Sequence, residues 1–351
     1  MTSRSKEDRQ IKVVFIVGYT RSGSTLLEQL LSMAPGSVAV GEMAYLWEQR
    51  VRNNSYCGCG SKWTNCSFWK NILGDLPSSD FSKARSPFGA FFRDLVRKGR
   101  PSDDQDYERF VNQIESIYQA IHDQTGCSVI IDSSKRPFFG LAVSRTKVSV
   151  TFVHLVRDSR GCAFSWKKAK ARVELGKDAF MPFMPQFPAH RSALAWVWNN
   201  LQAEILSRRC QNIVLRYEDL VENPTFEVNK ILNQVGLPSI SPDQNGIFRI
   251  PTSHGIWGNP DRWSSRNAIK VTKDERWISE LSKPDFIVST LISAPLLKWY
   301  GYPLSRNKHV CRPSASTELQ SKNHRELRHG AMVQSGQFLR DETQHSNPNG
   351  R

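Results

Sequence analysis

The sequence predicts an α/β fold in three layers, with a mostly parallel central sheet of about four to five strands flanked by helices. Three observations predict it. Apolar, β-branched runs alternate with stretches whose apolar residues recur at helical spacing, the pattern left by parallel strands and their crossover helices. The first apolar run ends in a glycine-bearing turn that opens straight into a helical stretch. And 351 residues, 39% of them hydrophobic, suffice to bury a large core.

In chain order, KVVFIVG (12–18) reads as the first strand and TLLEQLLSM (25–33) as the helix after it. Residues 50–127 form a long insertion with little strand character and a Pro/Ser/Asp-rich patch at 77–103, of the kind that shapes an acceptor pocket or lid. SVIIDSS (128–134) and VSVTFVHLVRD (148–158) are the next strands, and GCAFSWKKAKARVEL (161–175) is the helix after the latter. MPFMPQFP (181–188) is irregular, and SALAWVWNNLQAEILSRR (192–209) has the spacing of a long helix. NIVLRYEDL (212–220) is the fourth strand, and PTFEVNKILNQVG (224–236) is a helix that Asn223-Pro224 starts. The expected organisation is a flexible N-terminus over 1–10, one domain over 11–304 and a disordered basic tail over 305–351, where Ser, Asn, Gln, His and Arg follow no period.

The net charge of +15 favours anionic partners, and the tail, with 8 Lys/Arg against 4 Asp/Glu, accounts for only +4 of it. MTSRSKEDRQ leads into the first strand without a hydrophobic segment long enough for a signal peptide or membrane anchor, so a cytoplasmic protein is expected. Seven unevenly spaced cysteines fit reduced thiols better than a disulfide framework.

From Gly18 the chain runs Gly18, Tyr19, Thr20, Arg21, Ser22, Gly23, Ser24, Thr25, the spacing of the phosphate-binding loop G-x-x-x-x-G-K-[ST] with Ser24 where the lysine belongs. Such a turn aims backbone N–H groups and the positive end of a helix dipole at one point, so an anion belongs there. Ser22, Ser24 and Thr25 add hydroxyl donors, and Arg21 adds a planar fork suited to oxyanions. A second strand-to-helix junction, HLVRDSRGCAFSWKK (154–168), offers Asp158 and Ser159 as caps and Arg157 and Ser165 for a second anion. Two anion sites at neighbouring strand ends suit a ligand with two separate phosphates.

Together the two junctions resemble the sulfotransferases that use 3′-phosphoadenosine 5′-phosphosulfate, PAPS, and among them the bacterial, tyrosyl-protein and carbohydrate branch. The resemblance implies a P-loop NTPase-like fold in which YTRSGSTLL (19–27), with Arg21, Ser22, Gly23, Ser24 and Thr25, holds the 5′-phosphosulfate. In the same reading Arg157 and Ser165, eight residues apart, hold the 3′-phosphate. It explains the displaced basic residue, because the family's loop carries Lys or Arg two residues before the second glycine, where Arg21 lies, and the donor needs no metal-held γ-phosphate. The likeness continues through LRYEDLVENP (215–224), whose Tyr217 approaches the adenine, and SHGIWGNPDRW (253–263), with Asn259 and Arg262 as nucleotide clamps, to WYGYP (299–303).

By the same resemblance Glu42, in VAVGEMAYLW (38–47), is the catalytic base, Lys135 and Arg21 neutralise charge on the bridging oxygen, and Ser253 orients the sulfuryl group. Arg136 is an equally basic neighbour, and Lys135 is preferred on the resemblance alone. The acceptor is a hydroxyl- or amine-bearing glycan, lipid, peptide tyrosine or small natural product. CGCGSKWTNC (57–66) offers Cys57, Cys59 and Cys66 but no clear fourth ligand, and His122, His154, His190 and His254 have no ligand spacing with it, so reduced thiols in a Gly-rich turn are expected ahead of an incomplete structural zinc site, and no metal is required for the reaction. Two other functions compete. A P-loop kinase needs the absent lysine and an acidic Mg²⁺ ligand, a role left to Asp132 or Asp158. A nucleic-acid-binding protein needs exposed aromatics among its basic residues, whereas Trp196 and Trp198 sit in a helical pattern that predicts burial.

Overall fold

The computed structural model describes residues 10–46, 56–74, 105–168, 185–208, 211–258 and 267–306. Five strands, β1 (Lys12–Val17), β2 (Ser37–Gly41), β3 (Val129–Lys135), β4 (Ser149–Val156) and β5 (Asn212–Arg216), pair in parallel in the order β2-β3-β1-β4-β5. Helix α1 (Ser24–Leu31) joins β1 to β2, and the short α2 (Ser67–Leu73) and long α3 (Gln105–Thr125) lie between β2 and β3. Helix α4 (Pro137–Val143) precedes β4. Helices α5 (Ser159–Lys167) and α6 (Ala189–Ser207) connect β4 to β5, and α7 (Tyr217–Glu222) and α8 (Pro224–Val235) follow β5. An antiparallel pair, β6 (Ile247–Arg249) and β7 (Ala268–Lys270), leads to α9 (Arg276–Glu280) and α10 (Lys283–Trp299).

Side chains of a strand alternate between faces, and β1 divides its residues between two cores accordingly. Val13, Phe15 and Val17 join α3, α4 and α6 on one face, while Val14 and Ile16 join α1 and α8 on the other. Phe15 is fully buried, its ring 5.5 Å from Phe152 edge-on and 6.1 Å from Phe139. Truncating a phenylalanine so placed costs about 3–5 kcal/mol.

The predicted strands are found within a residue or two at each end, except that the last one stops early. Its YEDL portion begins a helix, α7, because the chain reverses at Tyr217 and Arg216 locks onto Asp219 through two hydrogen bonds of 2.7 and 2.6 Å. The edge strand β2 was not predicted: SVAVG is short and closes with a glycine. Trp196 is buried as expected, but Trp198 is 42% exposed, since residues two apart on a helix point to different sides.

By internal contacts the chain forms two compact units, Met1–Ser293 and Ala294–Arg351. In the second, backbone bonds from Tyr300 to Leu296 and from Tyr302 to Leu297 close the last helical turn. The expected tail from 307 onward and the N-terminal nine residues lie outside the described residues. Among the described residues, no helix is long and apolar enough to cross a membrane.

Candidate active site

The carboxyl ends of all five parallel strands contribute to one cleft of about 620 Å³. Each delivers a side chain: Arg21 from the loop after β1, Glu42 directly after β2, Lys135 as the last residue of β3, Arg157 directly after β4 and Tyr217 directly after β5. The connection leaving β1 runs to β2 on one side of the sheet, and that leaving β4 runs to β5 on the other. The cleft therefore sits at a topological switch point, where open α/β sheets take their ligands. Six cations line it, Arg21, Lys135, Arg157, Lys168, Lys270 and Arg276, against the carboxylates of Glu42 and Asp274, so a polyanion fits.

The β1 loop is held tightly. Gly23 has φ +90°, and a Cβ there would stand 2.5 Å from Cδ2 of Tyr217, so only glycine lets that ring close over the start of α1. Ser24 and Thr25 face the cleft at the first turn of α1, and the Arg21 guanidinium lies 4.7 Å above the Trp166 ring. Ser22 turns inward instead, with its hydroxyl 3.8 Å from the Cys162 thiol, which leaves its backbone as its contribution to the loop. Burial pushes that thiol up to about 12, so Cys162 is an uncharged packing group.

Arg157 fastens the second anchorage to the first. Its Nη1 donates to the Arg21 carbonyl at 3.1 Å, its Nη2 to the Asp274 carbonyl at 3.3 Å, and its guanidinium stacks 4.3 Å from the Tyr217 ring centre. Its Nε is buried without a hydrogen-bond partner among the described residues. The Trp196 indole donates to the Arg157 carbonyl at 2.9 Å, so the buried face of α6 fixes the end of β4. Ser165, on α5, lines the same cleft.

Glu42 and Lys135 form a buried ion pair, Nζ to Oε1 2.5 Å, with side chains only 7% and 8% exposed. Lys135 also donates to the Ser133 carbonyl at 3.1 Å. Glu28 of α1, fully buried, accepts from the Gly41 N–H at 3.1 Å and the Ser133 hydroxyl at 2.6 Å, which ties together the strand ends that present the pair. Beneath them Asp132 accepts from Tyr118 and Ser134, and burial pushes its carboxyl up to about 7. Arg21, Lys135 and Trp257 are three of the four non-glycine residues with positive φ among the described residues, and all three line the cleft, where such strain concentrates.

Arg136 is not among the residues that line the cleft and lies 4.1 Å over the Tyr45 ring. Ser253 is not among the cleft residues: its hydroxyl accepts from the Gly255 N–H at 3.0 Å, shaping a turn, and it borders a separate depression beside residues 32–39. Asn259 and Arg262 lie outside the described residues. The expectation that no histidine belongs with the cysteines is overturned, because the 253–257 loop carries His254 to Cys57, Cys59 and Cys66, with all four ligand atoms within 4.8 Å of one another. Sequence reasoning also missed Tyr45, Trp166, Trp257, Lys270, Asp274 and Arg276 in the cleft. Trp166 beside Ser165, Tyr45 three residues after Glu42 and Trp257 within SHGIWGNPDRW lay in stretches the sequence singles out, whereas Lys270, Asp274 and Arg276 come from the segment that begins at β7.

A family model described as the sulfotransferase domain matches residues 12–246. No curated protein matches the sequence. Among solved structures, the chain is similar to the sulfotransferase domain of the Synechococcus PCC 7002 olefin synthase, at 17% identity and a TM-score of 0.46, over 84% of this chain and 98% of that one. It is also similar to the sulfotransferase domain from the curacin biosynthetic pathway, at 16% identity and a TM-score of 0.49, over 85% and 100%. A sulfotransferase from Alicyclobacillus acidocaldarius aligns at 14% identity and a TM-score of 0.33, over 81% and 95%. The match of the family model across all five parallel strands, on which the basic cleft is built, makes this chain a member of the sulfotransferase family, a transferase enzyme.

Proposed function

We propose that the cleft binds PAPS and that the protein moves its sulfuryl group to a hydroxyl or amine of an acceptor, with Glu42 as general base. The observation that carries this reading is the joining of two basic anchorages, the Arg21 loop and Arg157, in one cleft that also holds the Glu42–Lys135 pair. In this reading the 5′-phosphosulfate lies against Arg21, Ser24, Thr25 and the backbone of Ser22 and Gly23. The 3′-phosphate meets Arg157 and Ser165, the base lies near Tyr217, and Asn259 and Arg262 close over the nucleotide. Residues 11–304 act as one catalytic domain, with 50–127 shaping the acceptor pocket, in a cytoplasmic protein.

Glu42 takes the acceptor's proton as its oxygen or nitrogen attacks sulfur in line. The bond from sulfur to the bridging oxygen breaks, and Lys135 and Arg21 meet the charge that develops there. Tyr45 and Trp257, stacked on each other at 5.6 Å and both lining the cleft, give an acceptor an aromatic wall, which suits a sugar, a phenol or a lipid headgroup region.

Thermal unfolding with 3′,5′-adenosine bisphosphate, against ATP·Mg²⁺, tests the donor site in the wild type and in Arg157→Ala. Stabilisation by the bisphosphate that disappears in the variant is expected. Stabilisation by ATP·Mg²⁺ alone would refute PAPS as donor.

A further inference from the structure

We propose that Cys57, Cys59, Cys66 and His254 bind a structural Zn²⁺ ion that staples the 56–74 segment to the loop behind Glu42. A tetrahedral zinc with bonds near 2.3 Å to sulfur and 2.0–2.1 Å to nitrogen sets ligand-to-ligand edges of about 3.8 Å for S···S and about 3.5 Å for S···N. The corresponding edges are 3.8 Å for Cys59–Cys66, 3.5 Å for Cys57–Cys66, 3.4 Å for Cys66 to Nδ1 of His254 and 3.7 Å for Cys57 to the same nitrogen. Four edges of one tetrahedron thus match ideal values to within a few tenths of an ångström. Sulfur atoms 3.5 Å or more apart are far from the roughly 2.05 Å of a disulfide, and none of the three cysteines is disulfide-bonded. Three thiolates with one imidazole, in tetrahedral array and without an open position, select Zn²⁺ over the oxygen-seeking Mg²⁺ and Ca²⁺.

The surroundings are built to hold these ligands. Phe68 stacks flat on the His254 ring at 4.4 Å and 3°, and the Trp69 indole donates to the His254 carbonyl at 2.7 Å, so the imidazole is oriented by its packing and by its backbone. Gly60, at φ +86°, lets the chain fold back so that its N–H donates to the Cys57 carbonyl at 2.8 Å, closing the turn that carries Cys57 and Cys59. A Cβ on Gly58 would sit 2.7 Å from the Ser253 carbonyl, so only glycine allows the cysteine turn to lie against the histidine loop. The Gly58 N–H donates to the Gly255 carbonyl across that contact, at 3.1 Å.

Two residues past His254, Ile256 takes up β2: its N–H donates to the Val40 carbonyl at 2.9 Å, and its carbonyl accepts from the Glu42 N–H at 2.8 Å. The metal therefore anchors the backbone that positions Glu42. Zinc makes the Cys₃His cluster a positioning element for the cleft while touching nothing in it.

The test uses the full chain, purified under reducing conditions, equilibrated with Zn²⁺ or Co²⁺ and desalted. About one Zn²⁺ per chain is expected in the wild type, and under about one-fifth of that in His254→Ala and Cys66→Ser. As a control against loss of folding in those variants, the wild type carries a second readout. Its Co²⁺ form should show the intense visible bands of a tetrahedral site with thiolate charge transfer, and chelator removal of the metal should raise hydrogen exchange at the Ile256 and Glu42 amides. Wild-type protein that retains no metal, metal retained equally by folded variants, or a weak octahedral Co²⁺ spectrum would overturn the proposal. None of these readouts depends on PAPS or on turnover.

Discussion

Glu42→Gln, Lys135→Met and the double variant together separate what the buried pair does for stability from what it does for catalysis. At the observed 2.5 Å and an effective dielectric constant of about 20, the Coulomb attraction is roughly 7 kcal/mol before desolvation is subtracted. Desolvation offsets much of that, so the pair adds little relative to two neutral residues of the same size, yet removing one partner strands the other charge. Breaking such a pair costs about 3–5 kcal/mol. Each single variant should therefore lose about that much, a fall of roughly 6–12 °C in Tm. The double variant should lose less than about 1.5 kcal/mol, which amounts to a coupling of at least about 4.5 kcal/mol in a double-mutant cycle followed by reversible urea unfolding. In the reading of Glu42 as base, Glu42→Gln loses a factor of about 10²–10⁴ in turnover with bisphosphate binding retained, and the double variant recovers stability without recovering turnover. Single losses that simply add in the double variant would refute the claim that the two charges depend on each other.

Three further outcomes follow from the same geometry. Asp158→Ala removes the carboxylate that holds the fully buried Arg160 guanidinium through bonds of 2.8 and 2.6 Å and also the cap of α5, and should cost about 3–5 kcal/mol in chemical denaturation. Gly23→Ala places a methyl 2.5 Å from Tyr217 at φ +90° and should weaken adenosine bisphosphate binding roughly 10- to 100-fold by calorimetry, the equivalent of about 1–3 kcal/mol of strain. Asp132, with its carboxyl raised from 3.8 to about 7 chiefly by burial, holds a proton in the folded state that the unfolded chain releases, so stability falls as pH rises from about 4 through about 7. Each pH unit is worth about 1.4 kcal/mol, which caps the effect at roughly 4 kcal/mol, and Asp132→Asn should flatten that slope in pH-dependent unfolding.

The parallel sheet was legible because buried strands announce themselves as continuous β-branched runs, and KVVFIV, VIIDSSK and SVTFVHLV carry that signal at full strength. The edge strand SVAVG was not, since it is five residues long and ends in the turn that delivers Glu42. At the boundary of β5 a strand-like YEDL became helix because Arg216 pairs with Asp219 one turn on, a choice made by side chains and not by apolar pattern. Local propensity decides such short segments only weakly.

The legible part of the cleft follows a rule of topology: residues at the carboxyl ends of parallel strands must converge, so Arg21, Lys135 and Arg157 could be placed together once the strands were known, whereas Tyr217, inside a strand expected to run to 220, was reached by resemblance. Ser253 and His254 mark where that rule stops. Both lie on an irregular loop whose path is fixed by its bridge to Gly41, and a loop's path is set by partners distant in sequence. Ser253, given a role in the cleft by resemblance, instead accepts from the Gly255 N–H, while its neighbour His254, without a ligand spacing in the sequence, completes a ligand set with Cys57, 197 residues away. Ligand spacing is informative when one short loop or hairpin supplies the whole set. It fails when two segments are brought together by the fold, and the two glycine-dependent contacts, Gly58 on Ser253 and Gly41 on Ile256, are where this chain brings them together. A glycine pair in the sequence, CGCG and VGE, was thus the trace of the cluster, legible only once its partner loop was in view.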